Sequence, residues 1–313
     1  MWIFPTALRR QGFLGMNRRN VAYISRYNTR SRYPLVDDKL KTKLQAEKFH
    51  LATPQLQGVV RYQYEISHFQ HSAANLDGFA VKPSKGAGGK GILVITGRDG
   101  EHYIKSSGKR IDIHGVKRHL SNILAGLHSL AGSPDVAIIE DLIRPVEMFE
   151  KLSFAGVPDI RVIVFRGYPV MAMLRLSTRA SDGKANLHKG AVGVGLDIGS
   201  GQCLHAVQYS RRVTRHPDTD LSLDTIAVPD WKELLVLAAR SYEITKLGYI
   251  GADLVVDAER GPMLLELNAR PGLSIQVANG IGLLPRLREI ERIDPDFVPS
   301  PEERVEFAMR TFG

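Results

Sequence analysis

Residues 263–272 read MLLELNARPG. Much of the stretch suits a buried strand and the turn after it, but Glu266 and Asn268 break the apolar run two positions apart. Just upstream, residues 250–257 read IGADLVVD. Ile250, Ala252, Leu254 and Val256 share one face, and Gly251, Asp253, Val255 and Asp257 share the other, the period of two that a strand imposes. The residues between, AERG, suit a four-residue hairpin loop. That loop pairs Asp257 with Pro262, Val255 with Leu264 and Asp253 with Glu266, and sets Asn268 one pleat further on. Like charges directly opposite destabilise a hairpin, so something must compensate. A divalent cation does so: Asp253, Glu266 and Asn268, with no His or Cys, form the all-oxygen set that suits Mg²⁺ together with waters and phosphates. In a different register Asp253 becomes a strand-end residue facing solvent.

The 313 residues, 43% hydrophobic and 24% charged, suffice for a sizeable core in two domains or one large one. No run approaches the roughly 18 apolar residues of a membrane span. The single cysteine, Cys203, excludes an intrachain disulfide and a cysteine metal cluster, and a reducing, cytoplasmic setting fits it. The net charge of +9 is uneven, because residues 1–36 hold seven arginines and no acid. This segment reads either as a solvated, partly ordered arm or as one that meets a partner protein or an anionic surface. No nucleic-acid-binding motif accompanies the charge.

Residues 37–54 read as a helix closed by Pro54, and residues 112–130 as a second helix weakened by Gly115 and Gly126. TGRDGEHYI suggests a hairpin turning at RDG, and DIRVIVFRGYPVMAMLRLS another turning at RGYP. KGAVGVGLDIGSGQCLHAVQ gives two short strands around DIGSG. PDWKELLVLAARSYEITKLG gives a helix with an apolar face at 234, 235, 237, 238 and 242 and Gly248 as its stop. Strands and helices alternate without a regular βαβ period, so the fold class is α+β.

A metal that needs phosphates directs attention to residues 82–91, KPSKGAGGKG. A strand delivers Lys82 at its end. The glycines let backbone N–H groups approach anionic oxygens, and Lys85 and Lys90 add charge. The stretch is neither a P-loop nor a dinucleotide fingerprint. It lies between two strands, where it would act as a flap.

The order of these pieces resembles the ATP-grasp superfamily: a Val-Lys-Pro strand, a glycine-rich loop, an acidic-ended strand near 140, then Asp253 and Glu266-x-Asn268-x-x-Pro271-Gly272. DIR at 159–161 and NLHKGA at 186–191 bring the chain close to the alpha-L-glutamate ligase-like branch, related to the ribosomal-protein glutamate ligases. The sugar-transfer-associated ATP-grasp proteins compete for the assignment. The resemblance covers roughly residues 37–295 and implies two α+β subdomains gripping ATP between them. The divisions would be a basic segment 1–36, an N-terminal subdomain 37–137, a C-terminal subdomain 138–295 and a tail 296–313.

The resemblance also implies roles. Lys82 would contact the ATP phosphates, with Lys39 approaching from the preceding helix, and Lys85, Gly86, Gly88, Gly89 and Lys90 would cover the triphosphate. Residues 138–143, with Glu140, Asp141, Leu142 and Ile143, would form a hinge strand reading adenine. Glu147 and Asp159 both suit the ribose. Arg175 would neutralise the γ-phosphate and an acyl phosphate. Lys184, Asn186, His188 and Lys189 fall where substrate or phosphate contacts are expected, with His188 and Lys189 as catalytic candidates. Asp253, Glu266 and Asn268 match the ligands of Mg²⁺ or Mn²⁺, two ions during turnover. Arg161 reads either as a structural ion-pair partner or as part of that site.

The implied chemistry is an ATP-dependent carboxylate–amine ligation through an acyl phosphate, with small-molecule or peptide substrates. The alternatives are a phosphotransferase or enzyme of cell-surface polysaccharide metabolism, and a nucleotide-binding regulator without turnover. Glutamate ligases of this type carry about a hundred residues before the helix that matches 37–54; here 36 precede it, which leaves the acceptor open.

Overall fold

The computed structural model describes residues 5–69, 76–86, 88–129 and 132–313. Residue 87 of the expected flap, residue 130 of the expected second helix and residues 1–4 of the basic segment lie outside the described residues. The chain forms two compact units: one of residues 38–44 and 53–144, the other comprising residues up to 37, 45–52 and 145–313. The helix Lys39–Lys48 is divided between them.

The smaller unit is a six-stranded antiparallel sheet. Its strands are β1 (Leu56–Val60), β2 (Phe79–Pro83), β3 (Leu93–Asp99), β4 (His102–Lys105), β5 (Arg110–Ile111) and β6 (Ala137–Asp141), in the order β1-β6-β2-β3-β4-β5. The hairpin at RDG forms as expected, with Asp99 paired to His102. The helix Ile113–Leu124 starts on Asp112, whose carboxylate accepts from the Gly115 N–H at 2.7 Å, an N-cap bond that the free first turn requires. Val116, Leu120 and Ile123 recur at helical spacing and are fully buried with Phe79, Val81 and Ile95 of the sheet. Truncating side chains of this kind costs about 2–5 kcal/mol each.

The larger unit is a seven-stranded antiparallel sheet of β7 (Asp159–Phe165), β8 (Tyr168–Leu176), β9 (Val192–Leu196), β10 (Cys203–Gln208), β11 (Arg211–Arg212), β12 (Tyr249–Asp257) and β13 (Gly261–Asn268). Its order is β11-β10-β9-β8-β7-β12-β13. The turn at Arg166 and Gly167 has positive φ at both residues, 50° and 84°, which matches the right-handed twist of the flanking strands. The helix Trp231–Thr245 buries Leu234, Leu235 and Ala238 in the core, as its pattern predicts. It stops at Lys246 in the left-handed region rather than at Gly248. Gly248 has another use: a Cβ there would lie 2.8 Å from Tyr27 Cβ.

That contact belongs to a larger difference from expectation. The basic N-terminal segment is not a solvated arm. Its helix Met16–Tyr27, with a π-helical turn at Arg19–Ile24, puts Tyr23 and Ile24 into the core, and Leu14 just before it is buried there too. Tyr23 and Tyr27 pack edge-on against Phe165 at 5.6 and 4.9 Å between ring centroids. The Asn28 amide bonds both the N–H and the carbonyl of Tyr249 at 2.8 Å. The expected tail likewise holds a capped helix, Pro301–Phe312, whose Val305 and Ala308 are fully buried.

Candidate active site

The hairpin of β12 and β13 forms, with a different route to the expected pairing. Its loop has three residues, since Asp257 pairs with Gly261, Val256 with Pro262 and Leu254 with Leu264. A bulge between Asp253 and Leu254 then leaves Leu265 unpaired and restores Asp253 opposite Glu266, with Gly251 opposite Asn268. The four-residue loop expected from the sequence is one residue too long, and the bulge cancels that error at the point where the carboxylates sit opposed.

The compensation for those opposed carboxylates comes from arginine. Arg161 lies directly opposite Asp253 across β7 and β12, and Arg175 directly opposite Asp159 across β7 and β8. Arg161 grips Asp253 with two N–H bonds, 2.7 Å from Nε to Oδ1 and 2.5 Å from Nη2 to Oδ2. Arg175 adds a third to Asp253 Oδ2 at 2.7 Å and pairs with Asp159 through Nε. All four side chains are buried or nearly so, between 6% and 12% exposed. Burial alone would raise the Asp253 carboxyl, but the Arg161 and Arg175 charges hold it below the ordinary aspartate range. Burial raises Asp159 to about 6, with Arg175 opposing the rise and the neighbouring Asp253 charge adding to it.

Two neutralising guanidiniums thus occupy the place assigned from sequence to a cation, and Arg161 is an ion-pair partner. A metal is not thereby displaced from the whole set. A carboxylate has about four lone-pair sites, of which Asp253 uses three. Glu266 and Asn268 are half-buried on β13, and Asn268 Oδ1 accepts from the Arg270 N–H at 2.8 Å. The oxygen donors fit Mg²⁺ in type, with Glu266 and Asn268 the more exposed. Among the described residues no group of three or more His, Cys, Asp or Glu side chains is placed to hold a metal; the assigned set contains only two such residues.

In the smaller unit, β2 and β6 pair Ala80 with Glu140 and Lys82 with Ile138, so Lys82 and Glu140 are diagonal neighbours on one face. Lys82 Nζ lies 2.5 Å from Glu140 Oε2, and Lys43 Nζ lies 2.9 Å from Oε1. Burial acts to raise the Glu140 carboxyl, but the two lysines outweigh it and hold it low. Glu140 is therefore an ionised buried acid between two lysines. Lys43 was not singled out in the sequence. Its signal was available, since Lys39 and Lys43 are four apart and share a helix face.

The glycine loop is rooted at both ends. The Lys85 N–H donates to both Asp135 oxygens at 3.0 Å, and Lys39 Nζ donates to the Gly86 carbonyl at 2.6 Å. His119 Nε2 lies 2.9 Å from the Gly91 carbonyl. Gly88 and Gly89 are exposed at φ of 64° and 72°, and a Cβ at either position would meet nothing within 4 Å. Lys90 is exposed beside them. Asp141 accepts from Gln57 Nε2 at 2.5 Å, and Leu142 and Ile143 continue, half-buried, beyond β6.

The remaining assigned residues have partners of their own. Of the ribose candidates, Glu147 is exposed in a surface pair with Lys151 at 2.6 Å, and Asp159 is committed to Arg175. Lys184 pairs with Asp182 at 2.7 Å on the surface. Asn186 caps a short turn by accepting from the His188 N–H at 3.0 Å, and His188 and Lys189 are exposed.

These two sheets, the rooted glycine loop and the acid-bearing hairpin define the ATP-grasp architecture. The chain belongs to the sugar-transfer-associated ATP-grasp family, whose model matches residues 18–292. This is the second of the two branches that the sequence resembles. No curated protein matches the chain. Among solved structures it is similar to D-alanyl-alanine synthetase A from Vibrio cholerae O1 biovar eltor, with a TM-score of 0.50, 10% identity, and 91% of this chain and 67% of that one covered. The D-cycloserine synthetase DcsG gives a TM-score of 0.47 at 14% identity over 96% and 81%. The ATP-grasp ligase PsnB, solved with a minimal precursor, gives 0.45 at 12% over 84% and 61%, so the chain spans less than two thirds of PsnB. At such identities the likeness is one of fold. Among the described residues no helix is long and apolar enough to cross a membrane.

Proposed function

We propose that the chain is an ATP- and Mg²⁺-dependent carboxylate–amine ligase. The observation that carries this reading is the pair of prepared charge clusters: Lys82 and Lys43 sharing one acid, and Arg161 and Arg175 fixed by two acids beside Glu266 and Asn268. The first cluster keeps one positive charge in excess for phosphate oxygens. In the second, buried carboxylates hold the guanidiniums rigid, which suits charge that develops during phosphoryl transfer. The exposed Gly88 and Gly89 amides cover the triphosphate. Glu266 and Asn268, with the open lone pair of Asp253, hold Mg²⁺. When bound, the ion neutralises triphosphate charge.

The substrate carboxylate oxygen attacks the γ-phosphorus, breaking the bond to the bridging oxygen and releasing ADP. An amine then attacks the acyl carbon, phosphate leaves, and the amine loses a proton. Lys82, Arg161 and Arg175 act as fixed cations, and no side chain serves as nucleophile. The carboxylate is an amino acid, a peptide or a sugar acid. A second reading, phosphoryl transfer to a saccharide acceptor, is favoured by the family match alone.

Hydroxylamine trapping tests the first reading. The chain with Mg·ATP and a panel of amino acids, short peptides and sugar acids is expected to release ADP and phosphate and to leave an acyl hydroxamate. Phosphate retained on the acceptor would establish the second reading instead. Nucleotide binding with no turnover across the panel would count against both and for a regulator.

A further inference from the structure

We infer that the N-terminal helical segment is a docking face for an anionic phospholipid surface. Seven arginines and no acid occupy residues 1–36. Arg19 is buried, with Nη1 donating to the Pro271 carbonyl at 2.7 Å, and the other six are exposed. Arg288 is exposed and acts on the Tyr23 hydroxyl together with Arg18, so it adds to the same field. Glu291 faces this segment, accepting from the Tyr27 hydroxyl at 2.8 Å and lying 3.7 Å from Arg26.

Charge alone does not distinguish a membrane from a nucleic acid. The apolar residues do. Met16 and Val21 stand 64% and 73% exposed on the helix that carries Arg18 and Arg26. A polyanion in water leaves such side chains unburied, whereas the headgroup boundary of a bilayer takes both the cations and the apolar groups. The face is also preformed. Tyr23, Ile24 and Asn28 fix the segment to the core, so docking orders no chain, which favours affinity.

The test is co-sedimentation of the full chain with phosphatidylcholine vesicles, with and without phosphatidylserine, at low and high salt. Binding is expected only with phosphatidylserine and is expected to weaken with salt. Each arginine near the surface contributes roughly fivefold, so Arg9→Gln, Arg10→Gln and Arg18→Gln together should weaken binding on the order of a hundredfold. Val21→Asn, which removes the apolar side chain without changing the charge, should weaken vesicle binding while leaving binding to single-stranded RNA little changed. Melting temperatures of these surface variants are expected to match the parent chain. Equal sedimentation with neutral vesicles, vesicle binding indifferent to the arginine changes, or binding to RNA but not to vesicles would each overturn the inference.

Discussion

Glu140→Gln exposes the logic of the smaller unit. Glu140 is 6% exposed and is shared by Lys82, 11% exposed, and Lys43, 5% exposed. The substitution removes the counter-charge that these two buried ammonium groups share. Removing one partner of a buried ion pair costs about 3–5 kcal/mol, and the glutamine carbonyl still accepts from one lysine, which places the loss near the lower end. The wild-type carboxyl is held low by its lysines. Its contribution is therefore complete above the unfolded glutamate value of about 4.3 and is lost as pH falls through the depressed folded value. Trp231 lies in the other unit, so its fluorescence does not report the loss. Amide hydrogen exchange in the helix Ile113–Leu124 does. At neutral pH the variant should exchange there at least roughly a hundredfold faster, from about 1.4 kcal/mol per tenfold, and the difference should vanish in acid. Equal protection at neutral pH, or a difference that persists once Glu140 is protonated, would refute the argument.

Arg161→Lys should only partly rescue what Arg161→Leu loses, because Asp253 receives two parallel N–H bonds that an ammonium cannot supply; urea unfolding followed by Trp231 should show the leucine variant destabilised by about 3 kcal/mol or more and the lysine variant by about 1–3 kcal/mol. Asp159→Asn tests the raised carboxyl. Because its folded value of about 6 lies above the unfolded one, the native state holds the extra proton and stability falls as pH rises between about 3.9 and that value; the variant should lose this slope. Asn28→Ala strands the Tyr249 N–H and carbonyl and should destabilise the larger unit by about 2–4 kcal/mol in the same unfolding assay, since buried groups without partners cost about 1–3 kcal/mol each.

Local pattern made much of the fold legible. Period-two stretches gave β12 and β13, the hairpin signal at RGYP gave β7 and β8, helical spacing gave the apolar face of Trp231–Thr245, and RDG gave its turn. The opposed Asp253 and Glu266 were reached through a wrong loop length, because a bulge at Leu265 leaves no mark in a run of leucines. What answers their repulsion was only half legible: Arg161 could be read as an ion-pair partner, but only strand order sets it beside Asp253, 92 positions away in sequence. Lys43 was within reach through its helix face. The N-terminal segment misled because its arginines dominate its composition, while the few residues that decide its place, Leu14, Tyr23, Ile24 and Asn28, are ordinary in sequence and long-range in contact.

Nucleotide binding measured by calorimetry, with and without Mg²⁺, tests the central claim without knowledge of the acceptor. Lys82→Met should lose ATP affinity in both conditions. Glu266→Gln, on a half-buried strand position, should keep the metal-free affinity and lose the increment that Mg²⁺ adds. ATP binding that is indifferent to both substitutions would contradict the account.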